Sequence, residues 1–288
     1  MTGEFHRLVA EELAHPVDAR VSVMAAAIAA RHGAASRAVL FYGSCLRQKQ
    51  FDGLMLDFYL IVSDYHAAYD KRWLARANAL IPPNVFPFQH DGLAAKYAVL
   101  SEADFHHLNG PETRNVSVWA RFAQPSRLVW AADGAAAESA VAAVARAAPT
   151  LLAAAGRVAG EAPLDWWRRA FLLTYSAELR AERKSRSGSV VDADPARYLL
   201  FSTAATAAID AGAAPASSWA RRRIEGKILS VVRLAKASAT YAGGADYIVW
   251  KINRHAGTDF ALRPWQRRHP LLGAISLLPR LLKSGAIR

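Results

Sequence analysis

The residue that most constrains this chain is Asp57, a lone carboxylate inside the apolar run Leu54-Met-Leu-Asp57-Phe-Tyr-Leu-Ile-Val62. A run of that length, rich in Leu, Ile and Val, reads as a strand covered on both faces. A carboxylate in such a strand is costly unless a cation compensates it, so the fold must bring one there. A divalent metal carrying a nucleoside triphosphate is one such partner, and a buried salt bridge is the plainer one. Thirteen residues before Asp57, the run Val39-Leu-Phe-Tyr42-Gly43 ends at Ser44. That pattern predicts a strand stopping at a tight turn, where small residues let backbone N–H groups approach an anion.

Charge points to an anionic partner as well. The chain of 288 residues carries a formal net charge of +12, which favours nucleic acid, nucleotide or acidic membrane. The excess is concentrated: from Trp219 onward there are 14 Lys and Arg against 3 Asp and Glu. The single cysteine, Cys45, excludes an intramolecular disulfide and any cysteine-based zinc site. Its place just after Gly43-Ser44 invites a nucleophile reading, but no His forms a recognisable nucleophile motif around it. The first residues lack the charged-then-apolar layout of a signal peptide, and Glu4, Glu11 and Glu12 argue against a transit peptide. No stretch approaches the ~20 apolar residues that span a bilayer.

Along the chain, spacing predicts helix from Phe5 to Arg31, broken at Pro16, then a strand from Val39. A helix over Tyr69–Leu80 closes at Pro82-Pro83, and Asn84-Val-Phe-Pro-Phe is extended. After an Asp91-Gly92 turn comes a strand, Ala94–Leu100, with Ser101 capping the next helix. Arg127–Trp130 reads as a short last strand. An Ala-rich helical section over Ala135–Ala159 breaks at Pro149, and helices follow over Trp166–Arg183 and Pro195–Ala211. The fold class is therefore α/β, of the α+β kind: a catalytic domain over 1–132, a helical domain over 133–218 and a basic helical region over 219–288. Lys96 sits mid-strand, suited to a triphosphate or else an edge residue facing water. Tyr175, Ser176, Glu178 and Arg180 crowd two helical turns, with Ser176 and Arg180 four apart on one face.

The segments Phe41-Tyr42-Gly43-Ser44, Met55-Leu-Asp57, Lys96-Tyr-Ala-Val-Leu-Ser101 and Thr174-Tyr175-Ser176-Ala-Glu178-Leu-Arg180 occur in a telling order. In that order and rough spacing they resemble the mitochondrial-type phosphatidate cytidylyltransferases, the translocator assembly and maintenance family. Val116–Pro125 and Ser230–Lys251 resemble two further segments of that family. Cys45 stands where the family has a second turn glycine, Ala98 where it has a strand glycine, and Ala177-Glu178 where it has Gly-Asp. Tyr59 occupies the place of the superfamily's usual second carboxylate, which leaves Asp52 or Asp64 to supply a second metal ligand.

The resemblance implies a polymerase-β-like nucleotidyltransferase domain with a mostly helical C-terminal part. It implies cytidylyl transfer from CTP to phosphatidic acid, with Mg2+ on Asp57, and Asp57 and Lys96 as catalytic residues. Tyr42, Gly43, Ser44 and Lys96 would hold the nucleotide, while Tyr175, Ser176, Glu178 and Arg180 would complete the site from the second domain. The terminal stretch Pro270–Lys283 is apolar, punctuated by cations and too short to span. It reads as an interfacial segment, with Arg263, Arg267, Arg268, Arg280 and Lys283 docking on an anionic membrane. The expected location is cytoplasmic, peripheral on the membrane's inner face, with no obligate nucleic acid; homo-oligomerisation stays open. Three rivals remain: a nucleotidyltransferase acting on a soluble acceptor, a non-catalytic membrane- or nucleic-acid-binding protein on the same fold, and a nucleic-acid enzyme whose basic charge goes with Trp219, Trp250 and Trp265 as base-stacking residues.

Overall fold

In a computed structural model of the protein, the described residues are 2–48, 54–179, 190–209, 217–240, 261, 263–268 and 276. The N-terminal helical run divides into α1 (Thr2–Leu13) and α2 (Ala19–Ala30) around Pro16. Asp18 caps α2 by accepting from the backbone N–H of Arg20. The chain then alternates: β1 (Ser36–Tyr42), α3 (Ser44–Gln48), β2 (Met55–Val62), α4 (Tyr65–Ala68), α5 (Arg72–Leu80), β3 (Asn84–His90) and β4 (Leu93–Ser101). After these come α6 (Glu102–Asn109), α7 (Trp119–Phe122) and β5 (Ser126–Ala131). The segment around Pro87, expected only to be extended, is strand β3. It forms a hairpin with β4 through Asp91 and Gly92, both at positive φ.

The five strands make one mixed sheet in the order β3-β4-β2-β1-β5. β1 is antiparallel to β2 and β5, β3 is antiparallel to β4, and β2 runs parallel to β4. Asp57 pairs in register with Tyr42 on one side and Lys96 on the other. Period-two alternation puts these three on the same face as Leu40, Tyr59, Ile61, Ala98 and Leu100. That face belongs to the larger core cluster. The opposite face, with Val39, Phe41, Leu56, Phe58, Leu60, Tyr97 and Val99, packs under α2, α4 and α5.

The helical second half is α8 (Gly134–Ala145), α9 (Ala147–Ala155), α10 (Pro163–Ala177), α11 (Pro195–Ala207), α12 (Trp219–Thr240) and α13 (Pro264–Arg268). The Ala-rich section breaks at Arg146 and not at Pro149. That proline lies in the first turn of α9, where a missing N–H costs little. The larger core cluster runs from Phe5 to Ala205, so the sheet and the helices after residue 132 share one interior. One contact pins the two halves directly. Arg197 on α11 is buried against Glu12 on α1, with one hydrogen bond to Glu12 Oε1 of 2.9 Å. Its guanidinium also donates to the Ala123 carbonyl and stands 4.3 Å from the Phe201 ring centroid.

Helix α12 crosses α10 closely because Gly226 faces Ala177: a Cβ at Gly226 would come within 2.2 Å of the Ala177 carbonyl oxygen. Backbone cannot yield as a flexible side chain does. Gly226→Ala is therefore expected to force the helices apart and lower stability by about 1–3 kcal/mol, the scale of overpacking. Urea unfolding of the variant checks this; an unchanged midpoint would mean the crossing is looser than described.

Candidate functional site

β1 ends at Tyr42 where β2 and β4 begin, so one row across the sheet carries Pro87, Lys96, Asp57, Tyr42 and Ser126. The row's two charged members meet: Lys96 Nζ lies 2.8 Å from Asp57 Oδ1. β4 is flanked by β2 and β3, so Lys96 is no edge residue facing water. The cation demanded by the carboxylate in an apolar strand is thus supplied from the neighbouring parallel strand. Neither partner is sealed, with side-chain exposures of 19% for Asp57 and 26% for Lys96, so a ligand can reach both.

The turn after β1 is shaped around the same carboxylate. Gly43 adopts φ of 95°, and a Cβ there would lie 3.0 Å from Asp57 Oδ2. Glycine is needed twice over, for backbone angle and for clearance. Ser44 opens α3 directly beyond it. Cys45 is buried, its thiol 3.5 Å from the Met55 carbonyl, and burial followed by the nearby Asp57 charge raises its pKa. It therefore stays a thiol and packs, which disposes of the nucleophile reading.

Above this row lies a small open cleft of about 160 Å³, lined by Tyr42, Tyr59, Lys96, Arg121, Arg233 and Lys236, with Pro83, Val85, Ala98 and Ala237 as apolar walls. Arg121 comes from the single turn α7, which is capped by the buried Val118 and begins with the buried Trp119. Burial opposes its charge, but Tyr59, Glu178, Tyr42 and Asp57 together outweigh that and raise its pKa. Burial and then Asp57 push the Tyr42 phenol well above its ordinary value, so it remains a neutral donor. Arg233 on α12 donates to the Pro82 carbonyl at 2.9 Å and to Ser117 Oγ at 2.7 Å. Lys236, one turn on, donates to the carbonyls of Pro83, at 2.8 Å, and Ile81.

Of the expected second-domain residues, Glu178 belongs to this neighbourhood, since its charge acts on both Arg121 and Arg233. Ser176 is exposed, and its hydroxyl bonds the Leu173 carbonyl of its own helix. Tyr175 is partly buried on α10, and Arg180 lies outside the described residues. Asp64 sits beyond the far end of β2, where it caps α4 by accepting from the N–H groups of His66 and Ala67. The five strand residues from Phe58 to Val62 lie between them, roughly 16 Å at strand rise, so it cannot share a metal with Asp57. Asp52 lies outside the described residues. Arg263 is exposed; the side chains of Arg267 and Arg268, and all of Arg280 and Lys283, lie outside them too.

The cations Arg121, Arg233 and Lys236 escaped the sequence reading of the site. Arg233 and Lys236 are three apart on one helix, a spacing that puts them on one face. Their neighbourhood of basic residues directed attention to a surface instead.

Among the described residues, no three His, Cys, Asp or Glu side chains gather to hold a metal. The donor set fits Mg2+ held jointly with a ligand. Asp57 Oδ1 meets Lys96 while Oδ2 faces the cleared space at Gly43. Magnesium is commonly bound by one or two carboxylates plus substrate phosphates. No protein-family model matches the chain, and no curated protein matches its sequence. Among the described residues, no helix is long and apolar enough to cross a membrane.

Burial, then the charge of Arg233, pushes the Lys236 ammonium down to about 7. An unfolded lysine titrates near 10.4, so between about pH 7 and 10 the unfolded chain holds a proton the folded chain lacks. Stability from this group therefore rises with pH through that window. Urea midpoints of Lys236→Met should lack that part of the wild-type rise between about pH 6.5 and 9.5. Identical slopes in the two proteins would show that Lys236 titrates normally.

Proposed function

We propose that the protein is a nucleotidyltransferase that moves a cytidylyl group from CTP to phosphatidic acid, giving CDP-diacylglycerol and pyrophosphate. The observation that carries the reading is the meeting of Gly43, Asp57 and Lys96 at one sheet end, beneath a cleft lined by Arg121, Arg233 and Lys236. The β1–turn–α3 unit, with β2 antiparallel to β1 and parallel to β4, supports a polymerase-β-like fold. CTP as the donor and phosphatidic acid as the acceptor rest on the motif resemblance.

In the proposed reaction an oxygen of the acceptor phosphate attacks the α-phosphorus of CTP. The bond between that phosphorus and the oxygen bridging to the β-phosphorus breaks, and its electrons leave with pyrophosphate. The acceptor phosphate is already ionised, so no strong general base is needed. What the protein must supply is positioning and charge neutralisation. The backbone at Gly43 and Ser44 would hold the β- and γ-phosphates, with the Ser44 hydroxyl as a further donor. Lys96 neutralises phosphate oxygens beside Asp57, and Tyr42 offers a neutral O–H to the same region. Mg2+, when bound with the nucleotide by Asp57, supplies Lewis-acid stabilisation of the phosphate charge. Docking would use Arg263, Arg267, Arg268, Arg280 and Lys283 on the anionic inner face of the membrane.

A second reading, a non-catalytic binder of phosphorylated ligands, is favoured by one observation: the strand row carries one carboxylate, with the buried Tyr59 two residues on. Incubating the protein with each labelled nucleoside triphosphate and phosphatidate vesicles separates the two. Label from CTP should enter the lipid phase, and Asp57→Asn should cut the rate by about a hundredfold or more, the scale of losing one electrostatic stabiliser. Nucleotide binding without transfer to any acceptor would establish the binder instead.

Ser44→Trp is expected to fill the space above the turn. It should abolish CTP binding in calorimetry while leaving the unfolding midpoint near wild type. Normal CTP binding by this variant would place the phosphate cradle elsewhere.

A further inference from the structure

We infer that the outward face of α12, a ridge of Ile224, Ile228 and Val232 bordered by Arg223 and Lys227, docks on an anionic lipid bilayer. The inference rests on exposure and charge along this helix and makes no use of the transferase reading. It adds a folded docking face to the cations of the C-terminal stretch.

The helix is amphipathic the wrong way round. A surface helix ordinarily turns its apolar stripe to the core and its charges to water. Here Arg222 is buried against the carbonyls of Thr113 and Arg114, and Arg233 reaches inward to the Pro82 carbonyl and Ser117 Oγ. Ile224 lies about 160° around the helix axis from Arg222 and about 180° from Arg233. It is exposed to 63%, Ile228 to 59% and Val232 to 37%. Spaced four apart, the three side chains adjoin in a ridge about 12 Å long at helical rise. Single exposed apolar residues are ordinary; aligned ones opposite a side that already buries arginine mark a surface that something else covers.

Charge decides what covers it. Arg223 and Lys227 are exposed and four apart, and Lys227 is three from Ile224, so both cations border the ridge. The only acidic residue of α12, Glu225, is taken up by Arg221 at 2.7 Å and Arg114 at 3.2 Å. A second copy would set like cations against each other in a chain of net charge +12. Nucleic acid would meet the cations but leave the isoleucines in water. An anionic bilayer satisfies both, taking apolar side chains into the boundary beneath its headgroups and attracting the cations beside them. The inner side of the same helix lines the cleft through Arg233 and Lys236. A bilayer on its outer side would therefore lie about one helix diameter, roughly 10 Å, from that cleft.

The test is sedimentation of the full chain with phosphatidylcholine vesicles, with and without phosphatidylglycerol, an anionic lipid that carries no phosphate monoester. The wild type should sediment when phosphatidylglycerol is present, and less so at high salt. Ile224→Ser/Ile228→Ser and Arg223→Glu/Lys227→Glu should each weaken binding about tenfold or more, with unfolding midpoints near wild type because these side chains are exposed. A polarity-sensitive dye on Ile228→Cys should shift to the blue when anionic vesicles are added; the native Cys45 is buried. Wild-type sedimentation by both double variants, or no dye shift, would overturn the inference. So would a wild type that ignores vesicles, and a dimer that Ile224→Ser/Ile228→Ser turns into a monomer would then assign the face to a second copy. Transfer from CTP to a water-soluble short-chain phosphatidate, read in the same samples, keeps the two proposals apart. A wild type that docks through this face yet transfers no nucleotide keeps the docking face and removes the transferase reading.

Discussion

The ion pair between Asp57 and Lys96 is the interaction on which the rest of the site depends. A carboxylate in a strand whose neighbours are Leu56, Phe58 and Leu60 needs a cation within reach, and here an in-register parallel strand provides it. The pairing also fixes register. A slip of one residue between β2 and β4 would turn Lys96 to the opposite face and bury it among Phe41, Phe58 and Tyr97. With the pair in place at the end of β1, the turn that follows must leave room for it, and only a residue without Cβ does so. One electrostatic requirement thus dictates strand pairing, the turn glycine and the location of the cleft.

The second determinant is α12. Much of the positive charge in the last quarter of the sequence sits on this helix, and a good part of it points inward. Arg222 is buried, donating to the carbonyls of Thr113 and Arg114 and lying 5.8 Å from the Trp119 and Trp219 rings. Arg233 and Lys236 continue the same inward line about three to four turns further on and close over the sheet row. The helix can come this near because Gly226 lets it rest on the end of α10, where Glu178 begins the descent of the chain. A structural clamp and a cationic lining are therefore two stretches of one helix, and displacing the first displaces the second.

Much of this was legible in the residues. The apolar runs gave β1, β2 and β4, Ser101 was recognisable as a cap, and the Asp91-Gly92 pair announced its hairpin. Asp57 drew attention because it broke a pattern, and Gly43 because small residues before a polar one mark a tight turn. Other features could not be read from one dimension. Pro87 obscured a strand because proline at an edge keeps its extended backbone while losing only a donor that faces no partner. Arg121, Arg233 and Lys236 come from two helices 112 residues apart and meet only through packing. Asp64 looked like a metal ligand because sequence distance to Asp57 is short. In a strand, however, each residue adds about 3.3 Å, and the fold employs Asp64 as a helix cap instead.

The central claim is that the end of β1, with Asp57, Lys96 and the cationic face of α12, is where nucleotide binds. Photo-crosslinking with an azido analogue of CTP, followed by peptide mapping, tests it most directly. The account predicts label on peptides holding Tyr42–Cys45, Lys96 or Arg121–Phe122, with α12 between Arg233 and Ala237 next in yield, and protection of all of them by unlabelled CTP. Label confined to peptides outside these elements and still displaced by CTP would contradict it.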